Sequence, residues 1–268
     1  MRAILIHADH SPATEARLQT GLDIARATRG HIALHVNTPL QSYVAMDPFG
    51  GVYLAANAIA DAQARDAALI DRLAEHCARE DVPWRIESSD SDIVEALTSS
   101  ARLADLVIVT APPGFGHAGP ALPLGRLALS TRSPVLALPA DDRRADIGGI
   151  AVVGWDGSYE AANALRAAVP LLALASKVHL VTVTEKATAF PATDALRYLS
   201  SHEVHAELHE RAPGRLSVEE TLEAAATELS ADWLAMGAYG HARLRETLFG
   251  GVTRYFIDAA RWPLLLMH

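Results

Sequence analysis

The chain has 268 residues, 50% of them apolar and 6% aromatic, enough for one large domain or two ordinary ones with cores of Ala, Leu, Val and Ile. Its formal net charge of −9 is spread along the chain without a basic patch, which argues against nucleic acid and anionic membrane as partners. The one cysteine excludes an internal disulfide. The sequence has no signal-peptide pattern and no apolar run of the ~18 residues that span a bilayer. We therefore expect a cytoplasmic protein.

The first half predicts five strands separated by helices, because short apolar runs alternate with helical patterns. The predicted strands cover residues 2–8, 31–36, 84–88, 106–109 and 134–138. Predicted helices end near residue 28, cover 56–79, begin at Asp92, and follow residue 124. Residues 37–55 predict a long polar loop, a kind of segment that is often functional.

A charged linker is predicted at residues 139–146, and the same pattern then restarts. Predicted strands cover residues 150–153, 178–183, 205–208, 233–236 and 263–267, with helices at 159–173, 192–200, 217–229 and 252–260. The repeat predicts two domains, residues 1–140 and 147–268. Ser11, Asp92, Ser158 and Ser217 are the expected helix caps. Such βα repeats form parallel sheets that bind ligands where the strand order reverses.

The most informative stretch follows the strand at residues 233–236. Gly237 and Gly240 come first, and after nine more residues Gly250 and Gly251 precede a helix, with Thr253 in its first turn. Glycine lets a backbone close around an anion, and a helix N-terminus offers free N–H donors to phosphate. The stretch therefore predicts a phosphate-binding turn; the alternative is that these glycines only make tight turns.

The spacing Gly237-x2-Gly240-x9-Gly250 resembles the nucleotide-binding signature of the universal stress proteins, in which Ser or Thr follows the third glycine. Residues 152–158, ending in Asp-Gly-Ser, resemble the first strand of that family. The resemblance implies an α/β fold of two tandem doubly wound parallel sheets, Rossmann-like and similar to the adenine nucleotide alpha hydrolases. It further implies a C-terminal domain that binds ATP, AMP or ADP, with Mg²⁺ as a candidate companion. The implied binding residues are Trp155, Asp156, Val183, Met236, Gly237, Gly240, Gly250, Gly251, Val252 and Thr253.

The first half departs from this signature. Asp9-His10-Ser11 resembles the first turn, but Thr110-Ala111-Pro112-Pro113-Gly114 replaces the glycine turn, and proline has no N–H to donate. Leu124 stands in the place of Thr253. We therefore expect a degenerate first domain and one nucleotide per chain. Family members commonly dimerise through the last strand, so residues 134–138 and 263–267 are expected to pair in an intramolecular pseudo-dimer; a homodimer remains open.

Three functions compete. The leading one is a stress-response binding module with no catalytic residue and no metal site of its own. The second is a slow ATP hydrolase, with Asp156 holding Mg²⁺ and Arg243 or Arg245, otherwise solvated, reaching phosphate. The third, a phosphoacceptor domain, needs an Asp after the third strand, where Glu87-Ser88 and His209-Glu210 stand instead.

Cys77 and a group of histidines have structural interpretations. An activated cysteine needs an electropositive setting that the sequence around Cys77 does not indicate. His7, His10, His31 and His35 match no common metal-ligand spacing and are predicted to lie in the core or at its rim.

Overall fold

The computed structural model describes residues 1–39, 56–112, 123–140, 143–183, 190–240 and 251–268, together with the backbone of 44–46 and 52–54. The first half contains β1 (Ala3–Ala8), α1 (Ala13–Thr28), β2 (His31–Asn37), β3 (Val44–Met46), β4 (Val52–Leu54), α2 (Ala56–Cys77), β5 (Trp84–Ser89), α3 (Ile93–Ser100), β6 (Leu106–Thr110), α4 (Leu124–Ser130) and β7 (Val135–Leu138). The second half contains β8 (Ile150–Trp155), α5 (Tyr159–Leu172), β9 (Lys177–Val183), α6 (Ala192–Ser201), β10 (Ala206–Arg211), α7 (Val218–Glu228), β11 (Trp233–Gly237), α8 (Gly251–Ala259) and β12 (Leu264–Met267).

The strands form one ten-stranded sheet in the order β10-β9-β8-β11-β12-β7-β6-β1-β2-β5. Each half contributes the same order of five strands, and all neighbours within a half are parallel. The order reverses between β8 and β11 in one half and between β1 and β6 in the other. The repeated α/β architecture is therefore confirmed, and its two reversal points are the places where such sheets bind ligands.

The two halves meet through their last strands. β12 pairs with β7 in the antiparallel direction, with Leu265 opposite Leu136. Both strands are buried, so the pairing hides two edges that would otherwise expose unpaired backbone groups. The predicted pairing of the final strands is confirmed.

Helices cover both faces of the sheet because strand side chains alternate between them. Ile4 and Ile6 pack into one core with α1, α2, α5 and α6, whereas Leu5 packs into a second core with α3, α4, α7 and α8. Among the described helices, none combines the length and the apolar character that crossing a membrane requires.

The structure corrects two local expectations and confirms others. The segment 37–55 was expected to be a loop, but β3 and β4 within it form an antiparallel pair. Ser11 does not cap α1, whose N-cap is Pro12 without a side-chain hydrogen bond. Asp92 and Ser158 do cap their helices, and Ser217 forms the predicted capping box.

Candidate functional site

A cavity of about 360 Å³ opens at the reversal point of the second half, where β8 and β11 end side by side. Its size lies within the ~300–1,000 Å³ typical of small-molecule sites. Loops after both strands and the first turns of α7 and α8 complete it. It is lined by Gly154, Trp155, Asp156, Ser158, Ala161, Val181, Val183, Val218, Glu219, Leu222, Met236, Gly237, Tyr239, Gly240, Gly251, Val252 and Thr253.

The lining contains nine of the ten residues predicted from the sequence. They are Trp155, Asp156, Val183, Met236, Gly237, Gly240, Gly251, Val252 and Thr253. The tenth, Gly250, lies outside the described residues, as do Arg243 and Arg245. Segments far apart in the sequence thus meet at one cavity, although the role of each residue there stays a prediction.

A tight turn holds Asp156 at the end of β8. The backbone N–H of Ser158 donates to Oδ1 of Asp156 at 2.9 Å, and Gly157 between them has a φ of 76°. Ser158 Oγ then accepts from the N–H of Ala161 at 3.1 Å and caps α5. One carboxylate oxygen is thereby fixed by the backbone, and the exposed Asp156 is held at the cavity wall.

Gly237 lets α5 approach the end of β11. A Cβ at Gly237 would lie 2.6 Å from the backbone N of Ala161 and 2.7 Å from the carbonyl carbon of Glu160. Neither atom can move without shifting the helix. The close packing of α5 against β11 therefore requires a glycine at position 237, whether or not a ligand binds.

Gly240 and Gly251 have more room. A Cβ at Gly240 would meet the end of the Glu160 side chain, 2.7 Å from Oε2, and one at Gly251 would meet nothing within 4 Å. The left-handed backbone of this turn lies at Tyr239, with a φ of 64°. Gly237 and Gly240 do not have a positive φ, so at both positions the missing Cβ matters for the space it leaves.

The Thr253 hydroxyl ties α8 to the glycine turn. It accepts from the N–H of Tyr239 at 3.2 Å and donates to the carbonyl oxygen of Gly237 at 3.4 Å. A hydroxyl has one proton to donate. A donation from Thr253 to a phosphate would therefore require giving up the contact with Gly237, so in this conformation its hydroxyl organises the turn.

The described cavity lining combines aliphatic side chains with two carboxylates. Val181, Val183, Leu222 and Met236 supply aliphatic surface, whereas the charged side chains in the described lining are those of Asp156 and Glu219. No Lys, Arg or His is among the described lining residues. The aliphatic side chains suit a flat apolar group such as a heterocycle, and an anionic group needs the N–H donors at the start of α8.

Comparison with protein families decides the identity of this half. Residues 150–268 match the model of the universal stress protein family. These residues form a universal stress protein domain. The cavity lies entirely within this universal stress protein domain, and the matched range includes both the Asp156 turn and the glycine turn.

The whole chain is similar to the crystal structure of a universal stress protein from Archaeoglobus fulgidus DSM 4304, with a TM-score of 0.75 and 13% identity over 99% of this chain and 97% of that one. This likeness shows the shared fold of both halves. A universal stress family protein from Burkholderia pseudomallei matches at 24% identity and a TM-score of 0.36, covering 46% of this chain and 97% of that one. A universal stress protein in complex with cAMP matches at 23% identity and a TM-score of 0.33, covering 45% and 97%. No curated protein matches the sequence significantly.

The aspartate after the first strand of the first half is bound by a buried arginine. Arg17, whose side chain is 1% exposed, donates from Nη2 to Asp9 Oδ1 at 2.7 Å and to Thr14 Oγ1 at 2.6 Å, and from Nη1 to Thr110 Oγ1. Despite the opposing effect of burial, Arg17, with His7 and a Ser11 hydrogen bond, lowers the pKa of Asp9 to about 2. The negative charge of Asp9 is thus balanced by the positive charge of Arg17 in the same half.

Small residues in the universal stress protein domain replace this network. The eighth residue after Asp9 is Arg17, whereas the eighth after Asp156 is Ala164. Thr110 ends β6 where Gly237 ends β11. The domain therefore has neither the arginine that binds the aspartate in the first half nor the threonine hydroxyl that accepts from that arginine.

The other singled-out residues have structural partners. The ring nitrogens of the buried His35 contact Ser89 Oγ at 2.9 Å and Ser100 Oγ at 3.1 Å, and His10 Nε2 contacts Asp66 Oδ1 at 2.6 Å. Cys77 is buried, which raises the pKa of its thiol to about 11 and leaves it unreactive.

Several lining residues were not predicted from the sequence. Val181 could have been found from Val183, since residues two apart on a strand share a face. Val218, Glu219 and Leu222 reach the cavity from α7, and no sequence signal connects that helix to the glycine turn.

Proposed function

We propose that the universal stress protein domain binds one adenine nucleotide, ATP or its AMP or ADP relative, and serves as a stress-response binding module rather than an enzyme. The observation that carries the proposal is the convergence of the Asp156 turn, the glycine turn and the start of α8 on one cavity. A single cysteine excludes an internal disulfide and fits a reducing compartment, so we propose that the protein acts in the cytoplasm.

The lining suggests an orientation for the ligand. The adenine ring would pack against the aliphatic side chains of Val181, Val183 and Leu222, and the ribose would lie near Asp156. The phosphates would then face Gly240, Gly251 and the N-terminus of α8, where free backbone donors and the helix dipole favour negative charge. Arg243 and Arg245 belong to the connecting segment and are candidates to add positive charge.

Calorimetric titration with ATP is expected to show one site per chain. Gly240→Val should weaken ATP binding at least tenfold, about 1.4 kcal/mol, because the branched side chain would project where the ligand approaches. The fold should survive, since the nearest obstacle is the flexible end of Glu160.

Gly148→Val is the matched control, because Gly148 lies outside the cavity and a Cβ there has its nearest neighbour at 3.5 Å. It should bind ATP like the unmodified protein. Two equivalent sites per chain, or unchanged affinity in a folded Gly240→Val protein, would contradict the proposal.

Gly251→Ser is expected to tighten ATP binding about tenfold, because a hydroxyl at the first residue of α8 adds one hydrogen bond to a charged phosphate. A Cβ at this position meets nothing within 4 Å, so the substitution fits without rearrangement. The gain should be large for ATP and absent for adenosine, which has no phosphate.

Gly251→Ala separates the hydroxyl from the effect of the added Cβ. If alanine tightens binding as much as serine does, the gain comes from the helix and the phosphates do not lie at this residue.

Magnesium and hydrolysis are tested on the same samples. The Asp156 and Glu219 carboxylates in the lining are of the ligand type that Mg²⁺ binds, so titrations with and without Mg²⁺ should differ if the ion accompanies ATP. Phosphate release measured over hours distinguishes a binding module from a slow ATP hydrolase.

A further inference from the structure

Two histidines and a glutamate meet on β9 and β10, at one edge of the sheet. Nδ1 of His179 lies 2.9 Å from Nε2 of His209, and Oε2 of Glu207 lies 3.5 Å from the first and 3.9 Å from the second. All three atoms fall within 4.8 Å of one another. None of these residues lines the cavity of the proposed nucleotide site.

The strand register creates this cluster. His179 is directly opposite Glu207 in the parallel pairing of β9 with β10, and His209 is two residues further on the same face. Because all three side chains project from paired strands, their donor atoms are positioned by the backbone of the sheet.

We propose that His179, Glu207 and His209 form a binding site for a divalent transition-metal ion, best matched by Zn²⁺. Imidazole nitrogen and carboxylate oxygen are its common ligands, with bonds of about 2.0–2.2 Å. Two such donors on one tetrahedral ion lie about 3.4 Å apart. The observed separations bracket that value, so small ring rotations would bring all three atoms into contact with one ion.

The unequal exposure of the three side chains leaves one coordination position of the ion open to solvent. His179 is 2% exposed, whereas His209 is 21% and Glu207 58% exposed, so an ion can enter from the solvent side and keep water as its fourth ligand. Lys177 competes for the cluster: its Nζ lies 3.4 Å from Oε1 of Glu207. That contact uses the carboxylate oxygen that faces away from the histidines.

A bound ion would link β10, at the edge of the sheet, to β9. Val181 and Val183 follow His179 on the same face of β9 and line the cavity. The ion would therefore stabilise the strand that supports one wall of the proposed nucleotide site, without touching a nucleotide.

The test uses the full chain after treatment with a chelator. Titration with Co²⁺ followed by visible absorption, and equilibrium dialysis with Zn²⁺ followed by metal analysis, should each give one saturable site per chain. His209→Asn and Glu207→Gln should each weaken binding at least tenfold. Both residues are partly exposed on the edge strand, and denaturation of the metal-free variants checks that they still fold.

His205→Asn is the matched control, because His205 is an exposed histidine just before β10 and outside the cluster. It should bind metal like the unmodified protein. If neither Zn²⁺ nor Co²⁺ saturates a site, the two imidazoles simply share a hydrogen bond and the proposal fails. Unchanged affinity in both cluster variants, or an equal loss in His205→Asn, would also overturn it.

Discussion

Gly237→Val is expected to lower the free energy of unfolding by about 3 kcal/mol even without any nucleotide, at the upper end of the cost of overpacking a close contact. The added Cβ would lie 2.6 Å from the backbone N of Ala161, so α5 must shift away from β11. Ala161 and Ala164 of this helix are buried, and the shift would open the packing around them. Urea denaturation followed by circular dichroism measures the change.

Gly240→Val is the control, because it adds the same side chain to the same cavity wall but meets a flexible side chain. We expect it to stay within about 1 kcal/mol of the unmodified protein, since flexible surface sites tolerate substitution. If Gly237→Val unfolds at the same urea concentration as Gly240→Val, α5 does not depend on this glycine.

This pair of substitutions separates two reasons for a glycine in one motif. Loss of ATP binding in Gly237→Val can follow from the displaced helix, so it does not by itself show a ligand contact. Loss in Gly240→Val with retained stability does bear on the ligand. The motif therefore combines a packing position with a position facing the cavity.

The sequence predicted the secondary structure of the described residues well because apolar runs, helical spacing and turn residues all agreed. Ser158 and Ser217 cap their helices because side-chain oxygens after extended backbone are the right acceptors. At Ser11 the same reasoning was wrong: the Ser11 hydroxyl donates to Asp9 Oδ1, and that carboxylate oxygen also accepts from Arg17 at 2.7 Å. The capping rule failed here because the serine hydroxyl belongs to a network around Asp9 that includes the buried Arg17 of α1 itself.

The contacts that could not be predicted from the sequence join segments that are far apart in the chain. Arg17 looks like an ordinary helix residue until Thr110 appears beside it, 93 positions later in the chain. The separation of His179 and His209 by 30 positions gives no metal-binding pattern, because only the β9–β10 register brings them together. The hairpin of β3 and β4 was missed because each strand has only three residues.

The two halves share one strand order but differ in the surroundings of the aspartate that follows the first strand. Both halves place an aspartate after their first strand, but in the first half this aspartate forms an ion pair with the buried Arg17. Burial, followed by the charge of Arg17, lowers the pKa of the neighbouring His7 to about 4. A network that supports the first half therefore makes its stability depend on pH.

Acidification from pH 6.5 to 4 is expected to reduce the free energy of unfolding by on the order of 3 kcal/mol through His7, at about 1.36 kcal/mol for each pKa unit. The unfolded chain binds a proton near the ordinary histidine value of 6.5, whereas folded His7 does so only near 4. Protons therefore favour the unfolded chain across this window, and the contribution of His7 changes no further below it. Urea denaturation at a series of pH values measures the slope.

His7→Gln should flatten the profile between pH 6.5 and 4, although not completely, because burial also lowers the pKa values of His35 and His179. Asp9 provides an internal control at lower pH. Its folded pKa of about 2 lies below the unfolded value of 3.8, so its stabilising contribution is present above 3.8 and is lost as the pH falls towards 2. His7→Gln should leave a loss of stability in this lower range. A His7→Gln profile parallel to that of the unmodified protein from pH 6.5 to 4 would show that His7 is not held neutral by burial beside Arg17.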